Sequence, residues 1–281
     1  MPSPFSSAQA ARKAIAGRLS DIKKDAGLTG QELAERCGWH PAKSSRIANG
    51  KTLPSDADIR LWCVACGAGD QIDDLIAASR TAESMYTEWR RVHRTGMRKS
   101  QEDVLPLYER TRVCRVYASN VVAGFFQTES YARALMASVT EFQGTPDDVD
   151  AAVASRLARS RLLHEGDHRF SVLLEEWVLR ARIGGAATMA GQLGHLLTVM
   201  PLPSVSLGII PFTAERRLWP LEAFYMFDAA LVSVETLSAF VNITSPGEIA
   251  VYGKAFAQLQ KTAVYGTQAR ACITRAIDAL G

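Results

Sequence analysis

The stretch from Leu28 to Lys51 constrains this chain more than any other, because it leaves room for only two short helices and a tight reversal between them. Thr29 with Glu32 three residues on forms a capping box, in which each residue satisfies the other's backbone N–H at a helix start. Gly38 follows the first helix and can take the left-handed conformation that reverses the chain at little cost. Pro41 stands at the first position of the second helix, where its missing N–H is no loss, and Asn49-Gly50 closes that helix. Leu33, Ala34 and Cys37 on the first helix are expected to face Trp39 and Ile47, with Ala34 small where the helices cross. The second helix then exposes Pro41, Ala42, Lys43, Ser45 and Arg46 while its other face is pinned.

Helical patterning surrounds this pair. Ala11, Ile15, Leu19 and Ile22 recur at helical spacing between Ala8 and Ala26, and Gly27 ends that helix. Ser55 or Asp56 caps a fourth helix through Cys66, and Asp70 leads a fifth that runs toward Trp89. Residues 1–7 read as a loose tail, and residues 90–111, charged and Pro-interrupted, as a linker or crossing arm. Beyond them the pattern changes. β-Branched and aromatic runs predict strands at 113–117, 170–174, 205–211, 223–227, 231–235 and 239–241. Helices are expected over 128–139, 146–163, 187–200, 246–262 and 267–280. A chain of 281 residues exceeds one typical domain. The fold class expected is α+β: an N-terminal all-α five-helix domain over 8–80, a linker or arm over 81–111, and a mixed α/β domain over 112–281 with one sheet covered by helices.

The net charge is only +3, so its location matters more than its total. Residues 1–70 hold ten Lys/Arg against seven Asp/Glu and residues 71–115 nine against seven, while the remainder holds thirteen against fifteen. A basic front joined to a slightly acidic body suits a nucleic-acid-binding end on a neutral domain. The five cysteines are an odd number among apolar neighbours and read as buried free thiols of a reducing compartment. No apolar run reaches the length of a membrane span, and Met1 to Ser7 opens no secretory pattern, so a cytoplasmic protein is expected.

The Leu28–Lys51 block resembles the helix-turn-helix domains of the lambda-repressor-like, or xenobiotic-response-element (XRE), family. That resemblance implies that the second helix enters the major groove of double-stranded DNA, with Ala42, Lys43, Ser45 and Arg46 near base edges. Arg46 is placed for a bidentate contact to guanine. Gln31, Asn49 and Lys51 are placed for phosphates, which set the register. Ser44 departs from the family pattern, which usually has Val or Ile turned into the core. Further on, Val121-Val-Ala-Gly-Phe-Phe-Gln-Thr, followed by Tyr131-Ala132, is similar to the Pro-Gly-Leu-Leu-Gln-Thr…Tyr-Ala motif of actinobacterial antitoxin-like regulators. Ala123 replaces the usual Pro, and Phe125-Phe126 the usual Leu pair. Leu173 to Arg180, Gln192 to Leu197 and Val205 to Phe212 resemble the same family. The resemblance implies a transcription regulator whose C-terminal domain dimerises or binds a ligand or a small partner protein encoded nearby. An antitoxin-like protein that mainly sequesters such a partner is the alternative.

Other groupings carry less. Cys63-Val-Ala-Cys66 lies inside a predicted helix with no second pair near, so it reads as core and not as a redox or zinc site. His164 to His168 falls at a helix end, and no metal is expected there. Glu175 and Glu176 are adjacent at a strand end and point to opposite faces, so they cannot act on one substrate together. No Walker loop, Gly-x-Ser-x-Gly or HExxH occurs, and no catalytic residue or cofactor is assigned. An unrecognised activity of the C-terminal domain is a further alternative. Aromatic residues from Phe125 to Phe227 read mostly as core, partly as a pocket or partner surface. The basic run Trp89 to Lys99 reads as a solvated linker, or else as a contact to the DNA backbone.

Overall fold

The computed structural model describes residues 6–219 and 222–281, so residues 1–5 of the expected tail lie outside the described residues. Its contacts divide it into two compact units, Met1–Thr87 with Val241–Ile243 and Glu88–Phe240 with Thr244–Gly281.

The first unit holds five helices: α1 (Ser6–Asp25), α2 (Gly30–Cys37), α3 (Pro41–Ala48), α4 (Asp56–Ala65) and α5 (Ile72–Met85). The apolar stripe of α1 is buried as its spacing predicts, with Ile15, Leu19 and Ile22 in one cluster with Leu33, Ile47, Ile59, Trp62 and Leu75. Trp62 is the largest of these, and its indole N–H donates to the Leu19 carbonyl at 3.0 Å, tying α4 to α1. Burying that ring satisfies its one polar atom, so the ring's apolar area is gained without an orphaned donor.

The chain then runs through β1 (Tyr86–Glu88) and three short helices, α6 (Trp89–Val92), α7 (Arg98–Asp103) and α8 (Leu105–Arg110). The linker reading of this segment meets a folded path. Trp89 stacks on His93 and leans on Phe240, and its indole N–H donates to Thr236 O at 2.8 Å. The Asp148 carboxylate accepts the N–H groups of Met97 and Arg98 at 2.7 and 2.8 Å and so caps α7. Met97 and Tyr108 are buried. Few apolar residues were needed, because each is placed where a distant partner covers it.

Beyond α8 come β2 (Val113–Ala118), α9 (Glu129–Gln143), α10 (Val149–Leu157), β3 (Arg169–Glu175), α11 (Gly185–Val199), β4 (Val205–Ile210), β5 (Phe224–Phe227), β6 (Leu231–Glu235), β7 (Ala239–Ile243), α12 (Pro246–Gln260) and α13 (Gly266–Asp278). Within the second unit the sheet order is β6-β5-β2-β3-β4. β2 pairs in parallel with β3 and β3 with β4, while β5 runs antiparallel to both β2 and β6. The parallel half needs long crossovers, which α9 with α10 and then α11 supply, and the antiparallel half needs only tight turns. The fold is therefore α+β, an all-α N-terminal region and one mixed sheet flanked by helices. The expected helix over 146–163 ends as α10 and continues as a 3-10 turn, Ala158–Leu163. That tighter winding aligns residues three apart and buries Arg159 and Leu162 on one side.

Candidate nucleic-acid interface

The capping box of α2 is formed: Thr29 N–H donates to Glu32 Oε2 at 2.8 Å, and Glu32 N–H to Thr29 Oγ1 at 3.2 Å. These bonds from Thr29 hold the Glu32 carboxyl below its usual range. Gly38 takes φ 67° at the C-cap, and Trp39 N–H returns to Ala34 O at 2.8 Å, so the chain reverses within two residues. His40 caps α3 through Nδ1, which accepts Ala42 N–H at 3.2 Å, a role its residue type did not advertise.

One face of α3 is fixed by Ile47 and Ser44, both buried. Ser44 is turned inward, as the resemblance implied, and its hydroxyl reaches Pro41 O at 2.9 Å and Gly30 O at 3.1 Å. A hydrogen bond to the start of α2 thus takes the place of the usual aliphatic contact, and the helix is seated by a directional bond.

On the opposite face Ala42, Ser45, Arg46 and Asn49 are exposed, with Gln31 and Lys51 exposed beside them. Asn49 Nδ2 donates to Ser45 O at 2.8 Å, so this side chain also closes the helix. The side chains of Gln31, Arg46 and Lys51 have no hydrogen-bond or ion-pair partner among the described residues. Lys43 differs. Its ammonium lies 2.6 Å from Asp58 Oδ1 and 4.5 Å from the centre of the Trp39 ring. Asp58 is itself the third residue of a second capping box, with Ser55. Sequence reading placed a cap at Ser55 or Asp56 and missed that Asp58 links this cap to α3.

Burial works to raise the Asp58 carboxyl, but the hydrogen bonds from Lys43 and Ser55 outweigh it and hold the group below its usual range. A depressed carboxyl contributes stability above its unfolded value, about 3.9, and loses it as pH falls through the folded value. Asp58→Asn is expected to cost about 1 kcal/mol near neutral pH, since Lys43 is partly exposed and screened. In thermal unfolding, the gap between wild type and variant should close as the pH falls below about 4. A gap that persists there would remove the ion pair as its cause.

Two family models match the chain: a helix-turn-helix domain over residues 14–75 and a domain of unknown function (DUF5753) over residues 101–275. The chain belongs to the DUF5753 family. No curated protein matches it. A solved structure of TrmBL2, an archaeal chromatin protein with a novel mode of DNA binding, covers 85% of this chain and 88% of its own at 10% identity, with a TM-score of 0.33. At that score the likeness carries no argument.

In the DUF5753 region the other groupings resolve individually. Glu175 is buried, with Arg216 donating to both its oxygens at 2.7 and 2.5 Å and Tyr117 O–H donating at 2.8 Å. Burial and then the Glu175 charge push the Tyr117 hydroxyl well above its usual range. Glu176 is buried separately and accepts the Phe212 N–H at 2.9 Å. His168 Nδ1 lies 2.8 Å from Thr111 O, and no cluster fit to hold a metal occurs among the described residues. In the helix-turn-helix domain of this DUF5753 protein, Cys63 is fully buried, and burial raises its thiol. The aromatic set divides: Phe125, Phe126, Tyr131, Phe224 and Phe227 are core, whereas Trp177, Phe212 and Trp219 are about half exposed. Within the basic run, Arg98 and Lys99 pair with Glu102 and Asp103. No described helix is long and apolar enough to cross a membrane.

Proposed function

We propose that this protein is a sequence-specific, DNA-binding transcription regulator whose helix α3 reads the major groove. The observation that carries this is the two-faced construction of α3: Ser44 and Ile47 lock one face into the domain while Ala42, Ser45 and Arg46 are exposed on the other. Arg46 and Ser45 make the base contacts, and Ala42 packs against thymine methyl groups. Lys43 reaches bases only by leaving Asp58, so its share in specificity is smaller than its position on the helix suggests. Gln31, at the start of α2, with Asn49 and Lys51, holds phosphates and sets the register.

The protein acts in the cytoplasm as a homodimer on two half-sites about one helical turn apart. The DUF5753 domain supplies the dimer contact and binds a ligand or a small partner protein, in the manner of actinobacterial antitoxin-like regulators. Titration of the full chain with a duplex from its own promoter tests this reading. Binding that is no tighter than to unrelated duplex at the same salt overturns it. Lys51→Ala is expected to weaken promoter and unrelated duplex alike and to lower the slope of log affinity against log salt by about 1.

A further inference from the structure

Two arginines of the second unit, one buried and one partly buried, form no ion pair among the described residues. Arg159 is 6% exposed, and Arg156, three residues earlier, is partly exposed. Their acceptors are neutral side-chain amides. Arg156 Nε donates to Gln101 Oε1 at 3.1 Å and its Nη1 to Gln127 Oε1 at 2.8 Å, while Arg159 Nη2 donates to the same Gln101 oxygen. Neither guanidinium forms an ion pair among the described residues. Arg159 Nε is buried without a hydrogen-bond partner, and its guanidinium stands 5.3 Å from the centre of the Tyr108 ring.

This is an unusual expenditure of charge. Buried cations are ordinarily matched by a carboxylate, because taking a guanidinium out of water is costly without one. Here two guanidinia converge on a single amide oxygen, which can offset neither charge. The nearby acidic side chain is Glu235, which acts on Arg156 through space and without a hydrogen bond. Burial and the Arg159 charge bring Arg156 down to about 10, so Arg156 keeps its charge near neutral pH although a second guanidinium stands beside it. Unused N–H groups remain on both guanidinia, which suits an acceptor with several oxygens and a double negative charge.

We propose that Arg156 and Arg159 form a binding site for the phosphoryl group of a small ligand, with Gln101 standing in its place in the free protein. Gln101 is carried on the six-residue helix α7, and turning its amide presents the NH2 group to an incoming oxyanion in place of the carbonyl. The partly exposed Arg156 gives the approach. This deepens the reading of the DUF5753 domain as a sensing module. It is tested without DNA, so its failure would leave the DNA-binding reading untouched.

The experiment is thermal unfolding of the full chain titrated with inorganic phosphate, and separately with a nucleoside monophosphate, against chloride at matched ionic strength. Saturable stabilisation is expected, lowering the unfolding constant about a hundredfold at a hundred times the dissociation constant. Arg159→Gln should weaken phosphate binding about tenfold or more. Lys254→Ala, at an exposed position of α12, should leave it unchanged. Glu235 is exposed on β6, so Glu235→Gln should fold normally and bind phosphate about two- to threefold more tightly. A larger response to the monophosphate than to phosphate assigns the site to a nucleotide-like ligand, and an equal one to phosphate itself. The proposal is overturned if chloride stabilises as well as phosphate, or if Arg159→Gln and Glu235→Gln both respond as the wild type does. Stabilisation by duplex DNA alone, lost in Arg159→Gln, also overturns it.

Discussion

Replacing Arg216 by methionine is expected to destabilise the C-terminal unit by about 2–3 kcal/mol, and adding Glu175→Gln to that variant is expected to restore most of the loss. Glu175 ends β3, one strand from Tyr117 of β2, and both of its oxygens are held by Arg216 from the segment that follows β4. Its side chain is 7% exposed and that of Arg216 27%. The pair's net contribution is modest, since desolvation consumes much of the attraction. Removing one partner is a different matter, because the carboxylate is left buried with a single donor, the Tyr117 hydroxyl. Breaking a fully buried pair costs about 3–5 kcal/mol, and the solvent that reaches Arg216 lowers that range here. The glutamine of the double variant removes the stranded charge and still accepts from Tyr117. Urea denaturation of the two single variants and the double variant gives the coupling directly. Additive losses, with no rescue in the double variant, would show that Glu175 and Arg216 contribute independently.

The same pair illustrates what sequence could and could not show. Local chemistry was legible. The Thr29/Glu32 capping box, the Gly38 reversal and Pro41 at the start of α3 depend on residues within a few positions of one another, and each appears with its expected geometry. The strands were legible because β-branched and aromatic runs alternate with helical periodicity. Charge partners were not. Lys43 meets Asp58 fifteen residues on, Arg216 meets Glu175 at a separation of 41, and Asp148 caps α7 from 50 residues away. Nothing in those neighbourhoods marks the partner, since only the packed arrangement of helices and strands brings the two together. Ser44 lies between these cases. Its position identified it as inward-facing, but the carbonyl of Gly30 that receives its hydroxyl is supplied by the crossing of α2 and α3. The short helices that follow Trp89 were not legible for a related reason: their apolar anchors are few and the cap of α7 is remote.

Arg46 is where the functional reading meets its most direct measurement. Arg46→Ala is expected to weaken operator binding about ten- to a hundredfold, equivalent to about 1–3 kcal/mol, while binding to unrelated duplex falls far less. The argument begins with rigidity. The backbone of α3 is fixed through Ile47 and the Ser44 hydroxyl, so the direction in which residue 46 leaves the helix is set before DNA arrives. It continues with availability. Arg46 is exposed and its guanidinium is unengaged among the described residues, whereas Lys43 on the same helix is held by Asp58 and Trp39. A free, pre-aimed guanidinium fits the two acceptors on the major-groove edge of guanine, a geometry that a lysine ammonium meets only as a point charge. Arg46→Lys should therefore lose most of the discrimination while keeping the charge and the salt slope. Fluorescence anisotropy on operator and unrelated duplexes, at several salt concentrations, separates these effects. Should Arg46→Lys bind the operator as tightly as the wild type, Arg46 holds phosphate and the reading of bases passes to Ser45 and Lys43.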